Sequence, residues 1–161
     1  MKNYKVIILG AQCSGKTTIV RFLRENKDLP LIEEDEAFTK LNNGTYPNDI
    51  EYKENTLRPK LEEEIRKSEN LIFITSYCNP DLVRDLKLKG FKTIQLVLDR
   101  AKLEERNKKR MAEQGCDDAT QWMEENLKFH QKMQNEGFVD KIIDTDRPVE
   151  EVVEDILNFI G

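Results

Sequence analysis

Long apolar runs are missing from this 161-residue chain: the longest, Val6–Leu9 and Leu71–Ile74, fall far short of the roughly 20 residues that span a bilayer, so no transmembrane helix is expected. Lys2 and Lys5 ahead of the first run imitate a secretory leader, but the run passes straight into Gly10–Thr17 with no cleavage-site context, and a cytoplasmic protein is expected. Cysteine is sparse. Cys13, Cys78 and Cys116 are odd in number and lack CxxC spacing, which argues against a disulfide framework and against a zinc site. With no disulfide framework expected, Asn43-Gly44-Thr45 reads as a turn and not as a glycosylation acceptor. Aromatic residues are 7% of the chain, and with 7 glycines and 5 prolines the composition excludes collagen-like and low-complexity classes. A basic excess is absent too: 26 Lys and Arg face 31 Asp and Glu, a net charge of −5, so no global field attracts nucleic acid.

What is present is a globular composition with 38% hydrophobic and 35% charged residues, enough for one domain or one core with a small insertion. Tyr4 to Leu9, Pro30 to Ile32, Leu71 to Thr75, Phe91 to Leu98 and Val139 to Ile143 read as short buried strands. Helical patterns alternate with them. Ile19, Phe22 and Leu23 form an apolar stripe after the first strand, and Val149, Val152, Val153, Ile156, Leu157 and Ile160 repeat at helical spacing to the end. Asn79 as cap, Pro80 at the first helical position and Gly90 as terminator delimit another helix. Strands alternating with helices predict a five-stranded parallel sheet covered on both faces, an α/β three-layer arrangement.

Two stretches exceed a minimal crossover. Residues 35–69 hold a turn at Asn42 to Asn48 and a charged helix from about Glu51 to Ser68, and residues 100–137 hold two helices broken at Gly115 to Asp118. These are expected to be helical caps, an acceptor-binding insertion and a lid, on a core of residues 1–34, 70–99 and 138–161.

Gly10-Ala11-Gln12-Cys13-Ser14-Gly15-Lys16-Thr17 matches G-x-x-x-x-G-K-[ST] at every fixed position. Chance supplies such a match in roughly one chain of this length in a few hundred. The motif follows an apolar strand and opens an amphipathic helix, the context of a phosphate-binding loop whose backbone N–H groups face an anion. Gly10, Gln12, Cys13, Ser14, Gly15, Lys16, Thr17 and Thr18 are the expected phosphate-binding set, with Lys16 reaching the terminal phosphates and the Thr17 hydroxyl on Mg²⁺. Cys13 reads as a tolerated loop position.

With this motif the chain resembles the P-loop kinases of small molecules and nucleotides, the adenylate, cytidylate and shikimate kinases and their relatives. The resemblance implies a P-loop NTPase fold, ATP and Mg²⁺, and a small-molecule or nucleotide acceptor. Leu31-Ile32-Glu33-Glu34-Asp35-Glu36 sits where shikimate-kinase-like enzymes carry an acid-x-acid pair, with Asp35 at the second acid and Glu33 replacing the usual aspartate. Asp35 is thereby implied to hold a Mg²⁺ water and to accept the acceptor's hydroxyl proton. The same run also fits a solvated loop or the first turn of a helix. Arg106 and Arg110 match the paired lid arginines of these kinases. Lys102, Arg106 and Arg110 stack like charges at i,i+4, a stripe that a bound polyphosphate would relieve and that otherwise reads as a solvated face. Asp144-Thr145-Asp146-Arg147-Pro148 resembles the loop that brushes adenine, which brings in Arg147. In the acceptor region Arg58 is the expected anion anchor, and Tyr46, Asn48, Tyr52 and Tyr77 are candidate lining. The third strand ends Thr75-Ser76-Tyr77, so the family's metal-binding acid there is missing and more weight falls on Asp35.

His130, the only histidine, lies on a helical pattern with Trp122, Met123, Leu127 and Met133 and reads as packing; Trp122 reads as core or lid packing ahead of a base platform. An ATP-dependent phosphotransferase is the leading expectation. Residues without an NKxD motif disfavour a regulatory GTPase. A nucleotide-binding module without efficient turnover is the alternative, kept by the missing strand-3 acid. A polynucleotide 5′-end kinase needs a basic channel, whereas residues 31–70 hold 11 acids against 6 Lys or Arg.

Overall fold

The computed structural model describes residues 2–26 and 28–161, with nothing to be said of the Asn26 side chain. In chain order the elements are β1 (Lys5–Gly10), α1 (Lys16–Asn26), β2 (Leu31–Glu33), α2 (Glu34–Leu41), α3 (Ile50–Tyr52), a π turn (Lys53–Leu57), α4 (Arg58–Lys67) and β3 (Leu71–Thr75). Then come α5 (Pro80–Leu88), β4 (Lys92–Val97), α6 (Arg100–Gln114), α7 (Thr120–Asn135), β5 (Lys141–Asp144) and α8 (Val149–Ile160). The five strands form one all-parallel sheet ordered β2-β3-β1-β4-β5, with Ile7 opposite Phe73, Ile8 opposite Ile94 and Glu33 opposite Ile74. Among the described residues no helix is long and apolar enough to cross a membrane.

The two-residue period of a strand explains the layering. In β1, Ile7 and Leu9 face one side and pack with Leu61 and Ile65 of α4 and Leu82, Val83 and Leu86 of α5. Val6 and Ile8 face the other side and pack with Ile19, Val20 and Leu23 of α1 and Val152, Val153 and Ile156 of α8. β1 is therefore buried on both faces, and its run has no polar alternation because neither face meets water. β1 lies between β3 and β4, so the strand order turns back across it as the chain passes from β3 to β4, and an open parallel sheet has its ligand crevice at the carboxyl ends of the strands beside such a reversal.

The expected strands and the α5 and α8 helices form where the pattern put them, within a residue or two. One open alternative is decided, and one expected helix differs, each for a physical reason. The acidic run after β2 is the first turn of a helix: Glu33 caps α2 by accepting from the Asp35 and Glu36 N–H groups at 3.2 and 2.9 Å, and acids at a helix start favour the dipole. The single helix expected from Glu51 is α3 and α4 joined by the π turn, in which the Arg58 N–H donates to the Lys53 carbonyl. Pro59 has no N–H to give and its ring would collide with the carbonyl four residues back, so the turn before it widens.

Candidate active site

β1 ends at Gly10 and α1 begins at Lys16, so the five residues between them must reverse the chain over the sheet's carboxyl edge. The Ser14 N–H donates to the Ala11 carbonyl at 3.1 Å, and the turn puts Gly15 at φ +100° and Cys13 at φ +65°. A Cβ on Gly10 would lie 2.5 Å from Ser14 Oγ, which is itself buried without a hydrogen-bond partner, so only glycine fits there. Cys13 carries a side chain in a left-handed conformation, an unfavourable backbone for any residue but glycine. Two contacts from α6 meet it. Arg106 Nη1 donates to the Cys13 carbonyl at 3.2 Å, and Arg110 Nη1 donates to Cys13 Sγ at 3.3 Å.

Beside this loop lies a cleft of about 680 Å³, within the range of small-ligand sites. Its wall carries Gln12, Cys13, Ser14, Gly15, Lys16, Thr17 and Thr18 from the loop and α1. Asp35 with Glu33 and Glu34 faces it from the β2 end, Arg106 and Arg110 from α6, and Arg147 from the segment after β5. The seven residues from Gln12 to Thr18, Arg106 and Arg110 of α6, Asp35 with its two acidic neighbours, and Arg147 from near the C-terminus thus meet in one place. Gly10 supports the loop from beneath. Arg58 and Tyr77 stand outside this lining.

Lys16 Nζ donates to the Gly10 and Ala11 carbonyls at 2.7 and 2.8 Å. Burial pulls its pKa down from 10.5 to about 8 against the opposing pull of Asp35, Glu33 and Glu34, so the ammonium is short of compensating charge and an incoming anion would stabilise it. The like-charge stripe on α6 is divided among acceptors: Lys102 contacts Asp146, while Arg106 and Arg110 reach Cys13. The α6–α7 corner is held by buried Asn107, which accepts from the Ala119 N–H at 2.9 Å and donates to Asp118 at 2.7 Å. Arg147 is anchored to Asp155 at 2.6 Å and to the Asp144 carbonyl at 3.1 Å.

Behind the acidic edge of the cleft is a buried ion cluster that sequence reasoning did not foresee. Arg58 Nη1 and Nη2 each lie 3.3 Å from the Glu34 carboxylate, while Nε and Nη2 lie 2.5 and 3.2 Å from that of Glu54. Thr75 Oγ1, at the end of β3, donates to Glu34. The Arg58 guanidinium also lies against the Phe38 and Tyr77 rings, 5.1 and 5.4 Å from their centroids. Burial raises the Glu34 pKa, and Arg58 and Thr75 oppose that shift. Removing one member of a buried pair leaves an uncompensated charge at a cost of about 3–5 kcal/mol, so Arg58 is held far more firmly than a surface ion pair. Glu34 escaped notice because a carboxylate between two others in sequence carries no spacing signal, and its partners are 24 and 41 residues away.

His130 is buried and its Nε2 donates to the Ser76 carbonyl at 2.9 Å; burial lowers its pKa to about 4, so it is a neutral strut beneath the segment after β3. Trp122 does not reach the core. It is 45% exposed, because Met123, His130 and Met133 occupy the buried face of α7. Arg21, Lys109 and Glu113 also line the cleft and were not anticipated, since each belongs to an ordinary charged pattern; Thr145 lines it from the same segment as Arg147.

The fold is shared with solved P-loop kinases. A shikimate kinase from Acinetobacter baumannii in complex with shikimate superposes with a TM-score of 0.70 at 17% identity, over 98% of this chain and 93% of that one. The shikimate kinase of Aquifex aeolicus gives 0.67 at 22% identity, over 96% and 94%. A gluconokinase from Sinorhizobium meliloti gives 0.66 at 17% identity, over 98% and 91%. No curated protein sequence matches the chain. Residues 6–134, from the second residue of β1 to the last turn of α7, match the AAA domain family, and with the loop geometry above the chain belongs to that P-loop family.

Proposed function

We propose that this protein is an ATP-dependent phosphotransferase that phosphorylates a hydroxyl group of a small-molecule acceptor. The observation that carries the reading is the meeting, in one cleft, of the P-loop lysine, two arginines from a separate helical insertion and the Asp35 carboxylate. A nucleotide-binding loop alone would need neither the arginines nor the acid. The gluconokinase and shikimate kinases that share the fold are phosphotransferases by name, which supports the reaction class.

The loop suits a triphosphate. Gly10 lets Ser14 and Lys16 fold back over the end of β1, and the first N–H groups of α1 have no acceptor within the helix. Mg²⁺ also suits the donors: among the described residues no group of three or more His, Cys, Asp or Glu could hold a metal alone, and Mg²⁺ asks for only one or two protein oxygens beside water and phosphate. Thr17 and, through water, Asp35 would hold it, and when bound it would neutralise charge on the phosphates. Lys16 and the Arg106–Arg110 pair face the charge that spreads over the transferred group. The acceptor oxygen forms a bond to the terminal phosphorus, the bond to the bridging oxygen breaks, and the hydroxyl proton passes to Asp35 and then to water. Residues 35–69 act as the acceptor-binding insertion and residues 100–137 as the lid.

The test is phosphoryl transfer from ATP to a panel of hydroxyl compounds, with product detected by mass spectrometry, in wild type and Lys16→Ala. Product in wild type and its loss in the variant are expected. Nucleotide binding with no product from any acceptor would favour the passive binder, the reading that the absence of an acid in Thr75-Ser76-Tyr77 keeps open.

A further inference from the structure

We infer that the acceptor carries no net negative charge, and is a neutral or cationic hydroxyl compound and not a carboxylate or a phosphate ester. The inference rests on the phosphotransferase reading and concerns the acidic end of the same cleft. An anionic acceptor needs a cation with free N–H donors. The cations that the insertion offers near that end are Lys53 and Arg58, and both already face carboxylates, with one Arg58 N–H left over.

Arg58 has five N–H donors. Four contacts, two to Glu34 and two to Glu54, involve all three of its nitrogens, and the Phe38 and Tyr77 rings lie against its plane. Lys53 pairs with Glu54 at 3.7 Å, meets the Tyr46 hydroxyl at 3.4 Å, and lies 5.7 Å from the Phe38 and Tyr46 ring centroids. Glu33, Glu34 and Asp35 line this end of the cleft, and Glu54 stands behind it with Lys53 and Arg58, so the two cations of the insertion meet four carboxylates here, while other cations of the wall, Lys16 and the arginines, stand at the phosphate end. Tyr46 feels the excess: burial raises its pKa first, and Asp35 and Glu34 raise it further. A carboxylate brought here would displace a buried Glu34 from its partner or sit beside Asp35 uncompensated, and like charges in a half-buried site repel strongly. A hydroxyl compound without charge loses nothing to this field, and an ammonium group gains from it.

The experiment compares acceptors that share a skeleton and differ in charge: gluconate, glucose and glucosamine as one series, and a nucleoside monophosphate against its nucleoside as a second. Each is offered to the full chain with Mg²⁺ and ATP, and kcat/KM is read from product formation. The expected result is that the neutral or cationic member of a series exceeds its anionic member by tenfold or more. Glu54→Gln, a change at a partly exposed carboxylate, removes its charge and one of the two oxygens that accept from Arg58, and is expected to raise kcat/KM for the anionic member relative to the neutral one by at least threefold. An anionic member preferred by wild type overturns the inference while leaving the phosphotransferase reading intact. Unchanged relative rates in Glu54→Gln overturn the role given to the ion cluster. ATP binding without product from any compound overturns the phosphotransferase reading, and the acceptor class falls with it.

Discussion

The depressed pKa of Lys16 has a consequence for nucleotide binding that can be worked through. In the free protein the ammonium titrates at about 8 because burial outweighs the attraction of Asp35, Glu33 and Glu34. From about pH 7 to about pH 9 its charged fraction falls about tenfold, and a polyphosphate, which holds the charged form, must take up the missing proton. Nucleotide affinity is therefore expected to weaken about tenfold over that window, about 1.4 kcal/mol. Near pH 8 about half a proton should be taken up per nucleotide bound. The last ionisation of a phosphate group, near about pH 6, is complete below this range and does not supply the slope. Calorimetric titration with a non-hydrolysable ATP analogue and Mg²⁺, in two buffers of different ionisation enthalpy, measures both quantities. Lys16→Ala should bind weakly and with no slope. The ligand-free protein shows the opposite trend: the folded pKa lies below the unfolded one, so the unfolded chain binds more protons and stability rises as pH climbs from about 8 to 10.5. An affinity that is flat in wild type, or a slope that survives in Lys16→Ala, would refute the assignment of the charge to Lys16.

Asp35→Asn keeps the shape of an exposed position in the first turn of α2 but removes its charge, so single-turnover transfer should fall by about 10²-fold or more while ATP affinity changes little and stability by at most about 1 kcal/mol; unchanged transfer in the best acceptor assay would remove Asp35 from the chemistry. Replacing Arg106 and Arg110 together by glutamine should cost turnover by a few kcal/mol, as for lost stabilisation of developing phosphate charge, with a far smaller effect on thermal unfolding; wild-type turnover would return them to a solvated face. For His130 the folded pKa of about 4 lies below the unfolded 6.5, so the unfolded chain binds the proton more tightly and stability is lost as pH falls between those values, by up to about 3 kcal/mol. His130→Gln should flatten that part of the stability profile in denaturant titrations, and an identical acid slope in both proteins would show that other groups carry it.

The core and the phosphate loop were legible in the sequence because both are local. Strand period, the Asn79-Pro80 start, Gly90 and the C-terminal stripe each depend on residues a few positions apart, and so does G-x-x-x-x-G-K-[ST]. The resemblance of Arg106, Arg110 and Arg147 to lid and adenine-loop positions could be stated from the sequence, but that all three face one cleft with Asp35 depends on helices and strands brought together by the sheet. Other decisions were wholly tertiary. Cys13 looked like a neutral loop position, yet its carbonyl and sulfur receive the two arginines from α6, more than 90 residues on in the chain. Arg58 looked like a free anion anchor, since a single arginine on a charged helix gives no sign of what faces it. The widened turn before Pro59, the entry of α2 from β2 and the end of β3 bring Glu54, Glu34 and Thr75 to the same point, and at that point the arginine meets carboxylates at 2.5 to 3.3 Å. A sequence specifies which groups carry charge; how much of that charge remains available to a ligand is set by burial and by partners distant in the chain, and only the folded structure brings those together.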